Sequence, residues 1–222
     1  MRKVISWGLV FILALGLCSC KSSYSSKIGD VEDALEDTCG AKDADDDQYD
    51  RMVDNLYSVV DEAEYFKEGV YTKVSSSDYT FFPFHVPVDT GDVKAVFKYL
   101  KVDPESEESG SVAQMEVLVI QFSKSAKAQI YFNGLLEARK KTYENNEDLG
   151  EGIKNEFVEK KEYFAFASES EFMSFNVYAS IDGSTVFYAF VQGPNADKLK
   201  SEYYDFMKKM ECSIITMYGE GG

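Results

Sequence analysis

The sequence predicts an α+β domain, a largely antiparallel sheet with amphipathic helices on one face. Three observations carry that prediction. The runs Val93–Val102 and Val112–Phe122 are rich in β-branched and aromatic residues and flank the polar turn Pro104-Glu-Ser-Glu-Glu-Ser-Gly110. Asp182-Gly183 separates two further apolar runs and is a strong two-residue hairpin signal. Segments with apolar residues at helical spacing stand between these strands. Strands and helices mixed in this order, with hairpin rather than crossover connections, define the class.

Each element follows from local chemistry. Asp30 to Cys39 reads as a short helix with Val31, Ala34 and Leu35 on one face and Gly40 as its stop. An acidic link follows, Asp43-Ala-Asp-Asp-Asp-Gln-Tyr-Asp50. Met52, Val53, Leu56, Tyr57, Val60 and Ala63 then recur at helical spacing, so Gln48 to Lys67 is expected to be an amphipathic helix ended by Gly69. Val70 to Val74 reads as a short strand. Ser75 to Gly91, with Pro83, Pro87 and a serine run, reads as loop or irregular edge. In Val93–Val102, Val93, Ala95, Phe97 and Tyr99 alternate against Lys94 and Lys98, as a strand with one polar face would. Val112 to Phe122 returns as its hairpin partner. Ser125 to Asn146 is a long helix and Asn155 to Ser168 a strand centred on Tyr163-Phe-Ala-Phe-Ala167. Met173–Ile181 and Ser184–Gln192 form the second hairpin, and Pro194 and Asn195 open a last helix through Met210.

A weak internal repeat runs through this order. Ala128, Tyr131, Leu135, Ala138 and Thr142 have the spacing of Ala196, Leu199, Tyr203, Phe206 and Met210, offset by 68 residues. Phe122 and Phe190, and Lys140-Lys141 and Lys208-Lys209, keep that offset. The expected units are about 48–122 and 125–192, closed by a helix over 195–211. Any two amphipathic helices share this period, so coincidence is the competing reading.

The N-terminal stretch has its own logic. Met1-Arg2-Lys3 precedes an apolar run from Val4 to Leu17 in which only Ser6 is polar, and Leu17-Cys18-Ser19-Cys20 follows. The run spans roughly 21 Å as a helix, at about 1.5 Å per residue. A bilayer core needs about 30 Å, so it is too short for a permanent span and fits an export segment. These residues resemble a bacterial lipoprotein signal peptide ending in a lipobox, with Leu17, Ser19 and Cys20 at its aliphatic, small and acceptor positions. Cys18 at the second position is a less usual choice. The resemblance implies removal of residues 1–19, lipid on Cys20, and anchoring to the outer face of a bacterial cell membrane, or an outer membrane in a diderm. A single acyl chain anchors marginally at about 0.8 kcal/mol per methylene, whereas two or three hold stably. Residues 20–27 are then the lipidated cysteine and a flexible tether, 28–217 one α+β domain, and 218–222 a flexible tail. The element order and the turn Glu68-Gly-Val-Tyr71 also look like small uncharacterised lipoproteins of Gram-positive bacteria, a likeness that transfers no functional residue.

The charge balance is 23 basic against 39 acidic residues, net −16. Such a surface repels phosphate, which argues against nucleic acid and against flat adsorption on anionic lipid. It suits solubility, or cationic partners and divalent ions. With 15 Tyr and 16 Phe the composition is that of a globular chain. Of the cysteines, processing leaves Cys39 and Cys212 in the domain, and an even pair in an exported protein is expected to form a disulfide, the alternative being two independent thiols.

Catalytic signatures are sparse. His85 is the single histidine and supports neither a His-based triad nor a His-rich metal site. Gly150-Glu-Gly152 reads as a helix-ending turn and not as a phosphate cradle. Asp43-x-Asp45-x-Asp47 has the alternating carboxylates that start a calcium loop, but Gln48 stands where the sharp turn wants Gly and Asp54 where the long Glu belongs. Acidic capping of the next helix is the simpler account. Glu169 and Glu171 offer a glycosidase-like pair of the kind expected by chance among 39 acidic residues. The aromatic stretch Tyr79–Phe84 is core or binding surface.

The resulting expectation is a membrane-anchored extracytoplasmic lipoprotein acting as a non-catalytic binding or interaction module. No cofactor and no metal site is assigned. The alternatives are a calcium or cationic-ligand binding protein and a cell-envelope hydrolase using carboxylates.

Overall fold

The computed structural model describes residues 28–54, 63–75, 86, 88–103, 112–147, 153–170, 173–193 and 197–215. Helix α1 (Ile28–Cys39) buries Val31, Ala34, Leu35 and Cys39, a stripe at i, i+3, i+4 and i+8. Gly40 ends it at φ 64°, a left-handed conformation that costs glycine little. The acidic link contributes a two-residue strand, β1 (Lys42–Asp43), before α2 (Asp46–Asp54). Of the helix expected over 48–67, α2 and α3 (Ala63–Phe66) are seen, and residues 55–62 lie outside the described residues. Strand β2 (Val70–Val74) has the expected bounds.

A short 3₁₀ turn, Thr90–Asp92, capped by Asp89 Oδ1 accepting from the Gly91 N–H at 3.0 Å, leads into β3 (Val93–Asp103). Strand β4 (Ala113–Phe122) returns beside it, and α4 (Ser125–Glu147) follows. The strand expected over 155–168 is two strands, β5 (Lys154–Glu159) and β6 (Tyr163–Glu169). The chain reverses over Lys160-Lys161-Glu162, where the Lys160 N–H donates to Tyr163 O at 2.8 Å. Three consecutive charges belong in solvent, and the reversal puts them there. It also stacks Phe157 on Phe164, with centroids 6.0 Å apart and planes 6° apart. Strands β7 (Ser174–Asp182) and β8 (Thr185–Gly193) form the hairpin at Gly183, whose φ is 57°. Helix α5 (Asp197–Lys209) closes the succession.

Among the described residues, eight strands form one sheet in the order β1-β2-β3-β4-β8-β7-β6-β5. Every neighbouring pair is antiparallel except β1 with β2. The chain builds β2-β3-β4, passes through α4 to the far edge, and meanders back until β8 pairs with β4.

Helices cover both faces of this sheet, which corrects the expectation of a single helical face. Successive strand residues point to opposite sides. Val117 and Val119 pack with Leu35 of α1 and Phe206 of α5. Leu118 and Ile120, between and beyond them, pack with Ala128, Tyr131 and Leu135 of α4. On that same side Leu100 and Val102 pack with Met52 of α2 and Phe66 of α3. Residues 96–102 of β3 and 115–120 of β4 are buried without interruption. A strand with both faces covered has no side to wet, so burial does not alternate, and Lys98, Lys101 and Glu116 are buried within these runs.

The two hairpin–helix successions do not pack alike. Phe122 and Phe190 share the α4 face, yet α4 stays on that face while α5 crosses to the other. The 68-residue offset is therefore not repeated in the arrangement of the helices.

Candidate functional site

A groove lies where α1 meets the end of α5. Asp30, Asp33 and Asp37 fall on one stripe of α1 beside Ala34, and Met210 and Glu211 face them. Its volume is about 540 Å³. The end of α5 takes its shape from a left-handed cap: the Cys212 N–H donates to Met207 O at 2.9 Å and the Glu211 N–H to Lys208 O at 3.0 Å. Glu211 itself sits at φ 54°. Lys209 Nζ donates across the groove to Asp37 Oδ2 at 2.9 Å. Four carboxylates against one ammonium, already ion-paired, give a lining that attracts cations. Ala34 and Met210 add apolar surface to it.

A second polar set lies inside the sheet face that α2 and α4 cover. The β3–β4 register pairs Lys98 with Leu118 and Leu100 with Glu116, so Lys98 and Glu116 are diagonal neighbours on one face. Lys98 is fully buried and Glu116 is 6 % exposed. This corrects the reading of Lys98 as an outward residue; Lys94 is the exposed one. Burial holds the Lys98 ammonium below the usual lysine range, with the Glu116 charge opposing that shift. Burial likewise raises the Glu116 carboxyl, with Lys98 opposing. Lys98 Nζ donates to Met52 O at 3.4 Å, while among the described residues Glu116 Oε1 has no hydrogen-bond partner. Beside them Arg139 Nη2 donates to the Tyr188 hydroxyl at 2.6 Å and its guanidinium lies 4.4 Å over the Phe175 ring. Burial pushes Tyr188 up to about 12 despite that arginine. Alternation alone cannot reveal a buried lysine in a strand covered on both faces. The signal available was Glu116, a lone acid inside Met115–Ile120.

The residues singled out in the sequence are placed as follows. Asp45 caps α2: its Oδ1 accepts from the Gln48 N–H at 2.9 Å, and Gln48 Oε1 accepts from the Asp45 N–H at 3.0 Å. That is a reciprocal capping box. Asp43 lies in β1 and Asp47 in the first turn of α2, both exposed. Among the described residues no three or more His, Cys, Asp or Glu groups are placed to hold a metal ion. Glu169 pairs with Lys200 at 3.6 Å. Cys20, Tyr79–Phe84, His85, Gly150-Glu-Gly152 and Glu171 lie outside the described residues.

Cys39 and Cys212 are both free thiols, which corrects the expected disulfide. Cys39 sits at the end of α1 with its Sγ 3.5 Å from Thr38 Oγ1. Cys212 lies beyond the cap of α5, its Sγ 3.7 Å from Met210 O. Burial raises both thiols above the usual cysteine range. A thiol held protonated is a poor nucleophile.

No protein-family model matches the chain, and no curated protein matches it in sequence. Among solved structures it is similar to the extracellular domain of PknH from Mycobacterium tuberculosis, at 9 % identity and a TM-score of 0.34. That match covers 63 % of this chain and 77 % of the other. It is a likeness of outline on which nothing further rests.

Proposed function

We propose that the protein is a lipid-anchored extracytoplasmic binding module, held at the outer face of a bacterial membrane through Cys20. The observation that carries this is the pattern of residues 1–20: two basic residues, an apolar run too short to span a bilayer, and a small residue before the cysteine. Lys21–Lys27 lies between Cys20 and Ile28, the first described residue of α1. Seven residues reach at most about 25 Å. The groove beside α1 therefore works close to the bilayer.

Expression of the full chain in a bacterial host, followed by membrane extraction and mass spectrometry, tests this. The expected species starts at an acylated Cys20, and Cys20→Ala moves the protein out of the lipid-modified fraction. An intact Met1 or an unmodified Cys20 overturns the reading.

A second reading, a cationic-ligand binder, is favoured by the groove lined by Asp30, Asp33, Asp37 and Glu211. Titrating the chain with spermine and with calcium, by calorimetry at low salt, tests it. Binding that weakens in an Asp33→Asn/Asp37→Asn variant supports the reading, and no heat with either cation removes it.

A further inference from the structure

We draw no further inference here: the strongest candidate, the buried Lys98–Glu116 pair between β3 and β4 on the face that α2 and α4 cover, rests on the titration of a buried pair, and nothing in the structure shows what it would bind or release.

Discussion

Lys98 and Lys101 stand three residues apart on β3, point to opposite faces of the sheet, and each reaches a backbone carbonyl oxygen of a helix. Lys98 Nζ donates to Met52 O of α2 at 3.4 Å, and Lys101 Nζ to Cys39 O of α1 at 3.4 Å. At Cys39, the last residue of α1, the Lys101 cation meets the negative end of the helix dipole and its unpaired carbonyls. One strand thus pins a helix on each side of the sheet. This gives a physical reason for two lysines inside a strand that is otherwise apolar from Val96 to Val102.

Lys101 also donates to Glu202 Oε2 of α5 at 2.6 Å, in a pair whose side chains are 10 % and 20 % exposed. Removing one partner leaves a partly buried charge alone. Lys101→Met is expected to lower stability by about 2–4 kcal/mol. Lys101→Met combined with Glu202→Gln should recover much of that loss. Urea denaturation of the three proteins checks it, and a double variant no better than the single one contradicts the pairing.

Glu116 links stability to pH. Its folded value is raised by burial, so its contribution is complete below the ordinary glutamate value and is lost as pH rises to the raised one. Stability should fall across that window and Glu116→Gln should flatten the fall. Lys98→Met leaves the Glu116 carboxylate buried without its counter-charge and is expected to cost about 3–5 kcal/mol. Lys98→Met with Glu116→Leu removes both charges and should restore stability near or above that of the parent. Denaturation midpoints measured from pH 4 to 8 decide between these outcomes.

Glu211 occupies a left-handed position at φ 54° in the cap of α5. That conformation costs a residue with a Cβ about 1–2 kcal/mol, most of which glycine avoids. Glu211→Gly should therefore raise stability by about 0.5–1 kcal/mol. A thermal shift downward would show that the Glu211 side chain contributes more than its backbone strain costs.

The sequence made most element bounds legible because they depend on local chemistry. Gly40 stops α1, Asp182-Gly183 turns β7 into β8, and β2 falls where its β-branched run lies. The layering was less legible because it is set by tertiary cover. Val117-Leu-Val-Ile120 is compatible with one buried face or two until α4 and α5 are known to lie on opposite sides. The reversal at Lys160-Lys161-Glu162 was present as the charged run Glu159-Lys-Lys-Glu162 between Val158 and Tyr163, a turn signal without Gly or Pro. The groove was least legible of all. Asp30, Asp33 and Asp37 read simply as the wet side of a helix, and their facing residues come from Met210 and Glu211, more than 170 positions away.

The two domain cysteines should both be alkylated without reductant. Denaturing the full chain in iodoacetamide and mapping its peptides is expected to show Cys39 and Cys212 each carrying one carbamidomethyl group. In the native state Cys39, 7 % exposed, should label more slowly than the half-buried Cys212. A linked peptide containing both residues would overturn the free-thiol state.

Asp45 offers a substitution that separates a helix cap from a cation ligand. As a cap, its side chain needs only an oxygen that accepts from the Gln48 N–H, and asparagine supplies one. As a ligand for a hard cation, it needs the charge, which asparagine lacks. Asp45→Asn should then keep stability within a few tenths of a kcal/mol, whereas Asp45→Ala should lose about 1 kcal/mol. Gln48→Ala should lose part of that, since Gln48 Oε1 returns the bond to the Asp45 N–H and its Nε2 donates to Tyr65 O at 2.7 Å. Melting curves of these variants with and without calcium settle the role. Equal behaviour of Asp45→Asn and Asp45→Ala, together with a calcium-dependent shift in the parent, would make Asp45 a ligand and the capping box incidental.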